Sequence, residues 1–189
     1  MSAGVEERAD DAELAALFRR DPESFTAVYD RYHRDVYRYV SGRLDVQAGE
    51  DAAAETFLVA FGLRDRFDPE RGGLRPWLFG IATNIVARHR RREARHYKAL
   101  ARGRAETADG PESRVVATVA AQGMRPRVAR ALLGLNQGER DVLLLVALGQ
   151  LTHEEVAQAL GVSYGTVGSR LSRARKKLNK TLNREDLHG

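Results

Sequence analysis

LTHEEVAQALGVSYGTVGSRLSRARKKL, Leu151 to Leu178, reads as two short helices joined by a tight turn, the second of them basic. Thr152 precedes the first, where a hydroxyl can accept from backbone N–H groups that have no intrahelical partner. Glu155, three residues on, completes a capping box, and Val156, Ala157 and Leu160 supply the apolar face. Gly161 stands where the helix end needs a residue tolerant of positive φ, and Ser163 can cap the next helix. In that helix Val167, Leu171, Ala174 and Leu178 form one stripe at helical spacing. The opposite face carries Gly165, Ser169, Ser172, Arg173 and Lys176, with Gly168 and Arg175 on its flanks. Small residues let a helix backbone enter a groove closely, while Arg and Lys reach phosphates and guanine edges. Arg170, Arg173, Arg175, Lys176, Lys177 and Lys180 bring six positive charges with no acid between Ser163 and Lys180. The pattern predicts a helix-turn-helix with a DNA-reading second helix. A plain helical hairpin with a solvated basic face would need none of this agreement between caps, turn, stripe and charge.

Upstream, Asn136 can cap a helix that has Glu139 three residues on; Val142, Leu143, Leu145, Val146 and Leu148 pack, and Gly149 stops it. Val115, Val116, Val119, Val128, Leu132 and Leu133 continue helically before it, interrupted near Gly123 and Pro126. Residues 99–112 are small, charged and punctuated by Gly and Pro, which predicts a linker. The tail from Asn179 to Gly189 is expected to fray.

The first half is also helical by period. Asp11 can cap a short helix through Leu14, Leu17 and Phe18. Asp21-Pro22 pairs an N-cap with proline at the first helical position. Phe25, Val28, Tyr29, Tyr32, Val36, Tyr39 and Val40 then mark a long amphipathic helix ending near Gly42. A second helix spans about Gln47 to Leu63; its Asp51 and Glu55 are i, i+4 neighbours and repel unless something basic lies opposite. Asp68-Pro-Glu-Arg-Gly-Gly73 is a loop by its turn residues. The helix after it has its apolar positions at Trp77, Leu78, Ile81, Ala82, Ile85 and Val86, and ends in Arg88, His89, Arg90, Arg91, Arg92 and Arg95. Five arginines exceed what a helix C-terminal dipole calls for and point to a phosphate-binding surface.

Composition agrees with a nucleic-acid partner. The 189 residues have a net charge of +5 and a pI near 9.8, with the basic residues clustered. The absence of cysteine excludes a disulfide framework and a thiolate zinc site. The acidic, polar N-terminus argues against a signal peptide and no apolar run has the length of a membrane span, so a cytoplasmic protein without membrane insertion is expected. Scattered histidines and the lack of phosphate-loop or HExxH patterns give no catalytic constellation, no metal site and no cofactor; a non-enzyme is expected.

These residues together resemble the extracytoplasmic-function (ECF) group of bacterial RNA polymerase sigma factors. In the first half the resemblance is carried by FTAVYDRYHRDVYRYV, EDAAAETFLVAF and RFDPERGGLRPWLFGIATNIVARHRRR. In the second it is carried by LNQGERDVLLLVALGQLTHEEVAQALGVSYGTVGSRLSRARKKL. It implies an all-α protein of two small helical domains joined by a flexible linker. An acidic segment (1–20) would precede a polymerase-binding and minus-10 domain (21–98). The linker (99–112), a minus-35 domain with the helix-turn-helix (113–180) and a tail (181–189) would follow. The implied partners are core RNA polymerase, promoter DNA and an anti-sigma protein. Carried over by position, Asp51, Glu55 and Phe57 fall on the polymerase-binding motif. Asp68, Arg71, Arg75, Trp77, Asn84, Arg88 and Arg91 fall on the minus-10 reader; Ser163, Tyr164, Thr166, Ser169, Arg170, Ser172, Arg173 and Lys176 fall on the minus-35 reader. A base flipped from the duplex needs a loop pocket and the freed strand needs aromatic and cationic surface, which suits the first set. Trp77, an i, i+4 neighbour of Ile81, fits a core position equally well. Two departures stand out: Ala54 where the family has Gln, and Gly168 where many members carry Lys or Arg. The competing readings are a stand-alone dimeric helix-turn-helix regulator and an interaction protein whose first half only docks a partner.

Overall fold

The computed structural model of the chain describes residues 3–103 and 126–186, and among them all regular structure is helical. The first half comprises α1 (Ala3–Arg20), a 3-10 turn (Pro22–Ser24), α2 (Phe25–Ser41), α3 (Val46–Gly62) and α4 (Leu74–Gly103). The second comprises α5 (Pro126–Leu133), α6 (Gln137–Ala147), α7 (His153–Leu160) and α8 (Tyr164–Asp186).

Local chemistry sets most of these ends. Asp21 accepts from the Glu23 N–H at 2.9 Å with Pro22 at the first helical position, and Asp45 accepts from the Ala48 N–H at 2.8 Å, so both helix starts satisfy orphan donors. Three expected boundaries move. Helix α1 begins at Ala3, so Asp11 lies inside it and caps nothing; its carboxylate instead takes the Tyr32 hydroxyl and Arg31, tying α1 to α2. Helix α4 continues to Gly103, so the first residues assigned to the linker are helical. Helix α8 runs to Asp186, so the expected frayed tail is helical as far as that residue. The expected helical stretch around Val115 to Val119, and the linker from 104 on, lie outside the described residues.

In the first half, α2 contributes Val28, Tyr32, Val36, Tyr39 and Val40 to the core, α3 contributes Ala52, Ala53, Phe57 and Ala60, and α4 contributes Leu78, Phe79, Ala82, Ile85 and Val86. Phe18 of α1 closes one end against Phe25, Phe67 and Trp77. In the second half Val142, Leu145, Val156, Val167 and Leu171 are buried where α6, α7 and α8 meet.

The two halves share one continuous buried core. The Arg43 guanidinium, from the turn after α2, meets Asp141 of α6 at 2.5 Å with both side chains almost fully buried, 3% and 7% exposed. Arg43 also donates to the Tyr39 hydroxyl, which shares a 2.8 Å hydrogen bond with Thr83 of α4. A buried ion pair adds little net stability over apolar packing, but an unpaired charge left there is expensive, so this pair dictates how the halves register. Helix α7 lies on α4 so closely that a Cβ at Gly80 would come within 2.6 Å of the Ala159 carbonyl oxygen.

Candidate nucleic-acid interface

The helix-turn-helix forms as its sequence predicts. Thr152 and Glu155 exchange side-chain and backbone hydrogen bonds at 2.8 and 3.2 Å. Gly161 adopts φ 61°, ψ 38°, the left-handed cap that an L side chain disfavours. Ser163 accepts from the Thr166 N–H at 3.2 Å. Val167, Leu171 and Ala174 are buried, while Ser163, Tyr164, Ser169, Ser172, Arg173 and Lys176 are exposed and Thr166 and Arg170 half-buried. All eight expected minus-35 residues therefore lie on the N-terminal two-thirds of one helix or at its cap, which is the part that a groove-bound helix presents to bases. No atom beyond its own turn approaches a Cβ placed at Gly165 or Gly168, so the outward face is open.

One acid sits at the flank of this basic helix. Glu139 of α6, 1% exposed, accepts from the Asn136 N–H at 3.2 Å in a second capping box. The same carboxylate accepts from Lys177 Nζ at 2.7 Å and lies 3.6 Å from Arg173 Nε. The Lys177 hydrogen bond is the main cause holding its pKa below the usual carboxylate range. Sequence reasoning reads Glu139 only as a cap. The signal for more is the i, i+4 pair Arg173 and Lys177, whose common partner is invisible until α6 and α8 are packed.

In the first half the loop before α4 is built by Asp68, whose Oδ1 accepts from the Glu70 N–H at 3.1 Å. Arg71 is exposed. Arg75 is turned inward: it donates to the carbonyls of Gly149 at 2.7 Å and Gln150 at 3.3 Å, and pairs with Glu155 at 3.3 Å. Gln150, at φ 53°, is the one described non-glycine residue in the left-handed region, and the sequence carries no sign of it. Trp77 packs on Phe18 and Phe67, with ring centroids 5.9 and 5.1 Å away, and is half-buried at the edge of the core, where it also lines a cleft. Between this loop and α7 runs an open cleft of about 500 Å³, lined by Arg66, Asp68, Arg71, Gly72, Trp77 and Gln158 among others. Asn84, Arg88 and Arg91 lie exposed along one face of α4.

The expected polymerase-binding residues separate. Asp51 is exposed, whereas Phe57 is 2% exposed and packs on Phe25 and Tyr29. Leu58, beside it, is the residue turned outward. Glu55 pairs with Arg88 and lies 3.5 Å from His89, so the basic partner its repulsion with Asp51 calls for comes from α4 of the same chain.

Comparison with known proteins places both halves. The family model described as sigma-70 region 2 matches residues 28–96 and that described as sigma-70, region 4 matches residues 125–178. ECF RNA polymerase sigma factor SigC of Mycobacterium tuberculosis is 34% identical over 158 residues, covering 82% of each chain. RNA polymerase sigma factor CnrH of Cupriavidus metallidurans is 35% identical over 143 residues, covering 70% of this chain and 72% of its own. Among solved structures, CnrH in complex with the cytosolic domain of CnrY superposes with a TM-score of 0.65 at 28% identity, covering 92% of this chain and 97% of that one. The sigma factor RpoE in complex with the anti-sigma factor NepR, from Bartonella quintana, gives 0.61 at 23% identity, over 85% and 98%, a likeness of fold. With matches spanning both halves, the chain belongs to the sigma-70 family, in its extracytoplasmic-function group, the subunits that give RNA polymerase its promoter specificity. A stand-alone dimeric regulator is thereby set aside, since it accounts for the second half alone.

Proposed function

We propose that the two halves divide promoter recognition, residues 21–98 binding core polymerase and opening the minus-10 element, residues 113–180 reading the minus-35 element as duplex. The observation that carries this is the outward face of α8, with Ser163, Tyr164, Ser169, Ser172, Arg173 and Lys176 exposed on a helix whose opposite stripe is locked into α6 and α7. Arg173 is the base reader and Lys176 a phosphate contact. Asp51 and Leu58 present the polymerase-docking face of α3, with Phe57 supporting it from beneath. In the minus-10 half, Arg71 and the Asn84, Arg88 and Arg91 stripe follow the displaced strand, and the cleft beside Trp77 takes an unstacked base. Melting costs a few kcal/mol per unstacked step, which such contacts offset.

Arg75 reaches DNA only after the halves part, because its donors are now satisfied by the second half. Control by an anti-sigma polypeptide, by analogy with CnrH and the cytosolic domain of CnrY, completes the reading. The chain acts in the cytoplasm and catalyses nothing itself; the chemistry belongs to the polymerase.

Transcription by purified core polymerase on fragmented genomic DNA, with and without the protein, tests this through mapped RNA 5′ ends. New starts sharing two spaced upstream elements are expected. Absence of new starts, despite tight and salt-sensitive duplex binding, would overturn it. Arg173→Ala should cost about 1–3 kcal/mol on the preferred duplex and relax discrimination at one base pair; equal weakening on every sequence would make Arg173 a phosphate contact.

A further inference from the structure

We infer that Glu139 is a positioning residue for duplex reading: its buried carboxylate anchors Arg173 and Lys177 so that Arg173 meets a base edge and does not swing to a phosphate. This rests on the minus-35 reading of α8.

A helix cap asks for far less than Glu139 provides. Closing the Asn136 box takes one oxygen, which the Asn136 N–H reaches at 3.2 Å. Glu139 is nevertheless 1% exposed, and a carboxylate is buried in that way only when cations or hydrogen bonds compensate it. Lys177 Nζ supplies one such bond at 2.7 Å on Oε2, and the other oxygen, Oε1, faces Arg173 Nε at 3.6 Å. Both partners belong to the recognition helix, and both stay about half exposed, 56% for Arg173 and 48% for Lys177.

The geometry at Arg173 has a chemical consequence. A guanidinium has five N–H donors in a fixed fork. With Nε turned to Glu139, the two terminal nitrogens remain free, and a bidentate contact to guanine O6 and N7 uses those two. Restraining the stem also removes rotamer freedom before binding, which lowers the entropic cost of one chosen contact. Glu139 further cancels positive charge beside the groove-facing surface. Sequence-independent binding grows with the number of phosphates neutralised, so the carboxylate suppresses binding to the wrong duplex while fixing the side chain that reads the right one. Gly138 contributes to the same corner: a Cβ there would come within 3.1 Å of the Arg170 guanidinium, which leans on the start of α6.

The test uses the full chain, a preferred duplex selected from random sequence, and a scrambled duplex, with binding followed by fluorescence anisotropy across a salt series. Glu139→Gln keeps the cap, since glutamine closes a capping box as glutamate does, but releases both cations. Its affinity for scrambled duplex should rise several-fold and its log–log salt dependence steepen by about one. Its preference for the selected duplex should fall about tenfold, concentrated at the base pair Arg173 reads. In an Arg173→Ala background the same change should cost no further preference. Asn136→Ala, which removes the cap and keeps the carboxylate, should lower the melting temperature and leave preference intact. An unchanged preference in Glu139→Gln, or an equal loss in Asn136→Ala, overturns the inference. Should Glu139→Gln fail to fold, Lys177→Met leaves Arg173 as the sole cation on the carboxylate, and preference should hold or rise while the salt dependence becomes shallower; a fall in preference overturns the inference there. A wild-type chain without preference for any duplex would overturn the minus-35 reading itself.

Discussion

Arg75 donates to the Gly149 and Gln150 carbonyls and pairs with Glu155, so a side chain placed by sequence in a DNA-reading loop serves the junction between the halves. Arg43 does the same from further inside, against Asp141. Arg90 lies near this junction, and burial, then the charges of Arg43 and Arg140, push its pKa down to about 10, still charged at physiological pH. The Glu139 pKa is also held down, by the Lys177 hydrogen bond first, which for a carboxylate favours the charged form. Its folded pKa lies below the unfolded value near about 4.3. The ionised form is therefore the one folding favours: the stabilisation is complete above the unfolded pKa and is lost as pH falls through the folded pKa. Thermal melts of wild type and Glu139→Gln between about pH 6 and 3 should show the wild type losing its advantage on acidification below about 4.3; a constant difference across the series would exclude the linkage.

Among the elements, α7 and α8 follow from local rules more fully than any other pair. Two capping hydroxyls, a left-handed glycine and an unbroken apolar stripe agree, and each acts within four residues of itself. Gly168 is the exception, a glycine inside a helix with open space where a Cβ would be. Gly168→Lys should add about 1 kcal/mol of helix stability, seen as a rise of roughly 2–4 °C in melting temperature. The added cation should also tighten duplex binding and steepen its salt dependence by about one. A lower melting temperature would mean that the glycine answers a constraint outside helix propensity. Helix α3 shows the opposite case. Phe57, Leu58, Ala60 and Phe61 are all apolar, so the phase of its buried stripe is ambiguous along the sequence, and neighbouring residues differ by about 100° in direction. The structure buries Phe57 and turns Leu58 outward, so the exposed apolar side chain of this stretch lies one residue beyond the expected one.

Across the whole molecule the question is how two helical halves, each proposed to read its own promoter element, come to share one core. The loop proposed to read the minus-10 element faces α7 across a cleft, whereas Ser169, Ser172, Arg173 and Lys176 of α8 are exposed. Opening the junction should therefore affect single-strand binding far more than duplex binding. Gly80→Leu provides the means, because a side chain there meets the Ala159 backbone, which cannot step aside, while leucine favours α4 by about 1 kcal/mol over glycine. Small-angle scattering should show a larger radius of gyration with helix content preserved, and affinity for a single-stranded minus-10 oligonucleotide should rise several-fold. An unchanged radius would mean that the helices slide to accept the side chain.

By itself the sequence determined the helices, most of their caps, the helix-turn-helix and the family, because capping, periodicity and charge clustering act between residues three or four apart and leave their marks in order along the chain. Only the tertiary structure decided that Trp77 packs on Phe18 at the edge of the core, that Glu55 pairs with Arg88, that Arg43 finds Asp141, and that Glu139 reaches Arg173 and Lys177. Each of those depends on how two helices cross. An apolar stripe tells that a face is buried but not against which partner or in which register, and for Arg43 and Asp141 the partners stand 98 positions apart in sequence.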